Sequence, residues 1–452
     1  MRRDPLRRPT KTKAPQDPTR ELQRNLYRAA KQHPRRKFRR LYQTMRRRDI
    51  LERAYDEVRA NRGAAGVDGV TFESIEQGEG RLAFLDRLQA DLTTGNYHPI
   101  PVRRVFIPKP QGGQRPLGIP SIRDRVVATA AKLVLEPIFE ADFQDCSYGF
   151  RPKHNAIMAL EVIRKSANAG NWFVVDADVR AFFDNVNHWK LLVLFDQRVN
   201  DPQMRKAIKG FLKAGVLEGS TLSHPEEGTP QGGPASPLLA NIYLNFLDRV
   251  WQRKGRALGE MVRYADDLVI LCRTREAAEQ ALELLKATLA RLDLEIHPDK
   301  TRIVDLRDGG EGFDFLGFHH RRVPSWRRPG AAYLQRWPGK RARQSIRQKI
   351  REATAPRALL SLSLEELGAR IAPTIRGWGA YFRWGNSAKV FAAIDRYVTE
   401  RLVLFLRKKH QWPNRRWRKD AKGGGALTYL AAAHVPRLSG TTRYANVAIA
   451  TR

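Results

Sequence analysis

The chain has 452 residues, 42% of them hydrophobic, with 82 Lys+Arg against 47 Asp+Glu and a formal charge of +35 at pH 7. That much apolar material builds a core, so a wholly disordered basic tail is excluded, and the length suits roughly two to four structural units. Two distant cysteines, Cys146 and Cys272, exclude a disulfide scaffold and cysteine-based zinc modules; no secretory signal opens the chain and no apolar run nears about 18 residues, so no membrane span is expected.

Residues 1–20 carry four prolines and many charges and read as a flexible arm; residues 1–48 hold 18 basic and 3 acidic residues. A helical pattern begins near Leu22, and NRGAAGVDGV (61–70) is a glycine-rich loop. Leu82, Leu85, Leu88 and Leu92 stand at helical spacing and predict an amphipathic helix over 82–92. VRRVFIP (102–108) alternates like a strand, and PKPQGGQRP (108–116) is a turn, so the flanking runs form a hairpin. A buried helix is expected over 121–143, a strand over 172–179 and mainly helix over 187–214. Ser236 as N-cap with Pro237 at the first helical position starts a helix running to about Trp251. MVRYADDLVILC (261–272) reads as strand, acidic turn, strand; 275–292 is helical; 294–298 and 302–306 are short strands; beyond 339 the pattern is nearly all helix.

Charge is unevenly spread along these elements. The stretch 49–318 holds 35 basic and 38 acidic residues, whereas 319–352 holds 11 and 1, and 401–422 holds 9 and 1. A slightly acidic middle is thus flanked by strongly basic segments. Trp326, Tyr333 and Trp337 interleave with the second basic segment and Trp412 and Trp417 with the third. Stacking groups beside phosphate-binding groups suit single-stranded or irregular nucleic acid better than a merely soluble surface does.

The middle carries the chemistry. The apolar strand WFVV delivers Asp176 and Asp178, two residues apart and therefore on one face. A second apolar segment presents Asp266 and Asp267 at a hairpin tip. Carboxylates at the ends of buried strands are costly unless paired or bound to a cation. Two such strands side by side bring Asp178 and Asp266 together, and an oxygen-only donor set favours Mg²⁺. Two such ions can activate a 3′-hydroxyl and stabilise a leaving pyrophosphate. Around them, PQGG (230–233) allows close backbone approach, Lys109 and Arg115 flank a turn suited to a triphosphate, Phe183 offers a bulky ring against a ribose 2′-hydroxyl, and Lys300 lies in HPDKT.

In chain order, NRGAAGVDG, FIPKPQGGQRPLGIPSIRDRVV, DCSYGFRPKHNA, VVDADVRAFFDNVNH, GTPQGGPASPLLANIYL, RYADDLVI, HPDKTRIV and FDFLGF resemble, block after block, the reverse transcriptase of group II introns, over about residues 50–318. The resemblance implies an α+β right-hand polymerase, with fingers, a palm built on an antiparallel sheet, and an all-α thumb. The implied divisions are a basic N-terminal extension (1–48), fingers (49–170), palm (171–320), thumb or maturase region (321–410) and a short DNA-binding region (411–452). It implies catalysis by Asp178, Asp266 and Asp267, with Val179, which offers only its main chain, joining them as a metal ligand. Strand alternation adds that Asp266 should bind metal directly and Asp267 lie more peripherally. Phe183 matches the sugar-selecting position, Gln231 the glutamine at the forming base pair, Lys109 and Arg115 the triphosphate grip, and Lys300 a lysine near the phosphates. IRGWGAYFRWGNSAKVFAAIDRYVTERLVLFLRKKHQW (375–412) is similar to the maturase region, with Val390, Phe391, Ile394, Val398, Leu402 and Phe405 as its core stripe. Nucleic acid would meet the cations Arg327, Arg328, Arg336, Lys340, Arg341, Arg343, Lys408, Lys409, Arg415 and Arg416.

Two departures qualify the likeness. No His, Asn and paired-Cys endonuclease motif follows, so the chain resembles the endonuclease-lacking, bacterial class C members. Pro234-Ala235 follows PQGG where the family usually has two apolar residues, which stiffens the loop. The implied function is an RNA-directed DNA polymerase using two Mg²⁺ ions, dNTPs, a DNA primer and target DNA. It would also bind its intron RNA, assist splicing and mobility, and work in the bacterial cytoplasm without a membrane. The competing readings are an RNA-binding maturase acting mainly in splicing, and a domesticated relative in phage defence.

Overall fold

The computed structural model describes residues 17–108, 113–218, 221–223, 227–228, 232–307, 309–325, 329–411 and 426–443. Five helices open the described chain: α1 (Pro18–Gln32), α2 (Leu41–Met45), α3 (Arg48–Ala60), α4 (Phe72–Gln77) and α5 (Gly80–Thr94). Asp17 caps α1, its carboxylate accepting from the Thr19 and Arg20 amides, with Pro18 at the first helical position. In α5, Leu85, Leu88 and Leu92 are buried as their spacing predicts, but Leu82 is 66% exposed; it sits in the first turn, and Phe84 fills the core position instead.

The predicted hairpin is β1 (Val102–Pro108) with β2 (Gln114–Ile119), antiparallel, extended by β4 (Val216–Glu218) and β5 (Thr221–Ser223) into a sheet of order β2-β1-β4-β5. Helix α6 (Ile122–Glu140), capped by Ser121, is buried over most of its length, as expected of 121–143. Helix α7 (Ala156–Asn168) leads into β3 (Phe173–Asp178); α8 (His188–Phe195), α9 (Pro202–Lys213) and α10 (Ser236–Val250) follow. The cap of α10 is Ala235 rather than Ser236, one residue earlier than expected. Then come β6 (Gly259–Tyr264), β7 (Asp267–Cys272), α11 (Arg275–Ala290) and β8 (Arg302–Asp305). Of 294–298 only Ile296 pairs, in an isolated bridge to Val179, so that stretch is not a strand.

The central sheet is antiparallel with order β6-β7-β3-β8. Because successive strand residues face opposite ways, it divides two cores. Phe173, Val175, Ala177, Leu268, Ile270 and Cys272 pack with α1 to α6 and α8 to α11. Val174, Val262, Val269, Leu271 and Val304 pack with α7 and everything beyond the sheet.

The third sheet was not foreseen. It comprises β9 (Phe313–Phe315), β10 (Phe318–Pro324) and β11 (Ala332–Pro338). Much of the basic segment 319–352 is therefore a hairpin, and β10 runs through the boundary expected at 320. Charged residues on its open face masked the alternation of Phe318, His320 and Leu334 on the buried one. Helices α12 (Lys340–Thr354), α13 (Leu364–Phe382), α14 (Ala388–His410) and α15 (Ala426–Ala432) complete the fold. In α14 the stripe Phe391, Ile394, Val398, Leu402 and Phe405 is buried. Asp395 ties residues 438–439 to α14 by accepting from the Leu438 amide at 2.9 Å and the Ser439 amide at 2.8 Å. Among the described residues no helix is long and apolar enough to cross a membrane.

Candidate active site

Strand register builds the site. Asp178, the last residue of β3, lies directly opposite Asp267, the first of β7. Opposite residues share a sheet face, and Asp176, two residues earlier, shares it too. The three carboxylates line a cleft of about 380 Å³ with Asp299, Lys300, Arg302, Asp314, Phe315 and Arg341. They occupy the face that carries the second core, at the point where its apolar side chains give out.

Charge in the cleft is only partly balanced. The Lys300 ammonium is 2.6 Å from an Asp178 carboxylate oxygen, and the Arg302 guanidinium is 3.8 Å from Asp176. Burial first, then repulsion from Asp314 and Asp178, pushes the Asp176 carboxyl up to about 6 against the pull of Arg302. Asp267, exposed at the mouth of the cleft, is also pushed up to about 6, by the protein crowded around it and then by Asp266, Asp178 and Asp176, with Lys300 opposing. No group of three His, Cys, Asp or Glu among the described residues is already drawn together as a metal cage. The donor set nonetheless fits a hard divalent cation: oxygen ligands only, gathered on one sheet face, with more negative charge than Lys300 and Arg302 offset.

The structure differs from the alternation argument over Asp266. The hairpin closes on the pair Tyr264 and Asp267, so Ala265 and Asp266 form a two-residue turn outside the pleat. It is Asp267, in the strand, that faces Asp178 and lines the cleft; Asp266 is half-buried at the tip. Alternation says nothing about a residue that belongs to no strand. Val179 directly follows Asp178. Its bridge to Ile296 uses the Asp178 carbonyl and the Arg180 amide. Its own carbonyl therefore points to the opposite edge, the side of the acidic turn.

The turn is held from beneath by Arg263 in β6, which is 0% exposed. All five of its N–H donors are used: Nε and Nη2 on the Asp248 carboxylate at 2.8 and 2.5 Å, Nη2 also on Ser147 Oγ at 2.8 Å, and Nη1 on Asn241 Oδ1 at 3.1 Å and the Ala265 carbonyl at 2.9 Å. Ala265 has φ 59°, a left-handed conformation that costs a residue with a Cβ, as at the first central position of a type II′ turn. Sequence reasoning missed this network. Its signal was an Arg inside an apolar strand and an Asp inside an apolar helix.

Other expected site residues distribute as follows. Phe183 lies in a 3-10 turn (Phe182–Asp184), half-buried, its ring 5.1 Å from that of Phe182. Arg115 pairs with Ile107 in the hairpin backbone. Lys109, Gln231, Arg327, Arg328, Arg415 and Arg416, with Trp326, Trp412, Trp417 and residues 1–16, lie outside the described residues. Past Gln231, Gly232 has φ 115°, and a Cβ there would meet the Gly118 carbonyl at 2.5 Å, so the loop is pressed against β2. Pro234 and Ala235 help line a small apolar cavity with Ile100, Phe211 and Leu239. Lys340, Arg341 and Arg343 are exposed on α12, and Arg341 reaches the cleft. Lys408 is exposed, while Lys409 donates to the Leu362 carbonyl at 2.6 Å. Arg336, expected to meet nucleic acid, does not face outward: it is 4% exposed, with its guanidinium on the Leu160 carbonyl at 2.6 Å and the Trp384 carbonyl at 2.9 Å, so it joins α7, β11 and the α13–α14 connection. Its β11 position points inward, which a charge count along the sequence cannot reveal.

Comparison with known proteins adds a second line. The chain matches the family model described as reverse transcriptase (RNA-dependent DNA polymerase) over residues 107–320, and that of the group II intron maturase-specific domain over residues 343–423. It is 34% identical over 337 residues to protein YkfC of Escherichia coli (strain K12), covering 66% of this chain and 87% of YkfC. It is 39% identical over 220 residues to the group II intron-encoded protein LtrA of Lactococcus lactis subsp. cremoris, covering 47% of this chain and 35% of LtrA. The chain thus spans most of the first relative and about a third of the second.

Arg263→Lys should lower stability by about 3–5 kcal/mol, because Asp248 is left buried without its fork; a loss under about 1 kcal/mol in denaturant unfolding would show that the network carries little. Asp176 and Asp267 hold protons more tightly folded than unfolded. Their contribution therefore favours folding below about pH 4 and fades as pH rises through about 6. At pH 7.5 without divalent metal, Asp267→Asn should raise the melting temperature, and a fall would contradict mutual repulsion in the cleft.

Proposed function

The chain belongs to the group II intron family of reverse transcriptases, carrying a reverse transcriptase region and a maturase-specific domain, and on that premise we propose that it extends a DNA primer on an RNA template. The observation that carries the reading is the register of Asp178 against Asp267, with Asp266 at the adjoining tip. Three carboxylates that repel one another at the open end of a rigid sheet are a site waiting for cationic charge.

Asp178, Asp266 and Asp267, with the Val179 carbonyl, would hold two Mg²⁺ ions. Bound there, the ions supply charge for a 3′-hydroxyl to attack a nucleotide α-phosphate and for pyrophosphate to leave. The chain's own residues do the rest. Lys300, on the Asp178 carboxylate in this structure, turns to the triphosphate as a charge-matched partner once Asp178 is otherwise neutralised. Arg302 keeps Asp176 paired, and the buried Arg263 network keeps the turn from yielding as charge builds. Phe183 stands one turn beyond β3 as the barrier to a 2′-hydroxyl. Lys109, Arg115 and Gln231 complete the nucleotide site.

A second role rests on the thumb. Helix α12 buries Ile346 and Ile350 and exposes Lys340, Arg341, Arg343, Arg347, Lys349 and Arg351. That cationic face suits the phosphates of a folded intron RNA, so we assign the region to RNA binding in splicing, with target DNA as a further partner.

Asp266→Ala should cut primer extension with Mg²⁺ by at least about a thousandfold while leaving protein-assisted splicing of the intron RNA intact. Full extension in that variant would refute the site, and loss of splicing would show that the two roles are not separable. Phe183→Ala should raise ribonucleotide incorporation by about tenfold or more; unchanged dNTP/rNTP discrimination would remove the sugar gate.

A further inference from the structure

The motif SYGFRPK (147–153) has no role in the site described so far, yet it is fastened to the acidic turn residue by residue. The Cys146 carbonyl accepts from the Arg263 amide at 2.8 Å, and the Tyr148 amide donates to the Arg263 carbonyl at 2.9 Å. Ser147 Oγ accepts from Arg263 Nη2 at 2.8 Å, and the Gly149 carbonyl accepts from Asn241 Nδ2 at 2.9 Å. A Cβ on Gly149 would stand 2.4 Å from the Ala265 nitrogen, so the two backbones touch. Arg151 is 8% exposed and is spent on Glu140 and on the carbonyls of Gln144 and Ser147.

Between these anchors Phe150 alone turns outward. Its φ is 57° and it is 51% exposed. A bulky aromatic in left-handed backbone is an outlier that surrounding structure must impose, and a phenyl ring left in water forgoes the burial that usually justifies it. Packing does not explain it, since the ring belongs to neither core. Lys153, three residues on, is also left-handed at φ 62° and exposed, and makes no ion pair among the described residues. The chain is thus bent twice to hold outward a ring one residue, and an ammonium four residues, from the contact of Gly149 with Ala265.

We propose that Phe150 and Lys153 contact the primer–template duplex beside its growing end, the ring against sugar and base and the ammonium on a phosphate. The inference rests on the polymerase reading and assigns it a further substrate contact. Location supports it. Lys300 and Arg302 gather on the β8 side of the carboxylates, where they suit an incoming triphosphate. Segment 146–149 pairs along β6, the opposite edge of the sheet, which is left for the strands being joined. An apolar ring with a cation nearby is the chemistry of sequence-tolerant nucleic-acid contact.

The test uses the full chain with a labelled DNA primer annealed to an RNA template. A benzophenone amino acid at position 150 should crosslink to the duplex within a few nucleotides of the primer 3′ end. Phe150→Gly should weaken duplex binding about tenfold while keeping or raising the melting temperature, because glycine accepts the left-handed φ without strain. Phe150→Trp should retain binding, and Lys153→Ala should make the log–log dependence of binding on salt shallower. Binding by Phe150→Gly within twofold of wild type, a crosslink that captures no nucleic acid, or a clear fall in its melting temperature overturns the proposal. Crosslinking and binding need no nucleotide addition. A protein that binds and crosslinks but does not extend defeats the polymerase reading alone, and one that extends with Phe150→Gly binding normally defeats this inference alone.

Discussion

A guanidinium that keeps its charge at any physiological pH is enclosed where no water reaches it, and its surroundings must answer all five of its donors. Arg263 draws those answers from four residues in three places: Asp248 and Asn241 on α10, Ser147 before α7, and Ala265 in the adjoining acidic turn. Removing any one leaves a buried donor or carboxylate unpaired, which is far costlier than the pair is worth. The arrangement is therefore close to all-or-none. It holds helix, sheet edge and turn in one relation, and that relation places the carboxylates.

The rigidity has a purpose that the sheet makes plain. One face of β3 and β7 is apolar throughout and anchors the sheet in the first core. The other begins apolar, with Val174, Val269 and Leu271, and ends in Asp176, Asp178 and Asp267. Like charges at the end of a strand push the strands apart. A turn strained at Ala265 would relax under that push unless its carbonyl were held. Lys300 and Arg302 offset part of the repulsion, and the rest makes the site receptive to cations.

Much of this was legible in the sequence, for physical reasons that differ from element to element. Strand β3 could be read because a continuous apolar run and two in-phase aspartates coincide, and α6 and α14 because their apolar positions recur over many turns. The pairing of Asp178 with Asp267 could not be read, because a two-residue turn shifts the phase at which alternation restarts. The third sheet was hidden by charge on its open face, and the inward position of Arg336 was hidden because net charge carries no direction. Apart from Ala265, the partners of Arg263 lie 15 to 116 positions away, a distance over which no local pattern exists.

Segment 146–149 lies within the stretch expected to belong to the fingers, but its hydrogen bonds run to the central sheet, and α7 after it packs into the second core. The order of residues and the order of mechanical parts therefore disagree by more than twenty positions. Exchanging modules between relatives at the apparent junction near residue 170 would sever a strand-like segment from the edge it completes. A chimera that keeps residues 146–168 with the sheet preserves the mechanical unit, and any insertion between Cys146 and Arg151 would dislodge the acidic turn from a distance.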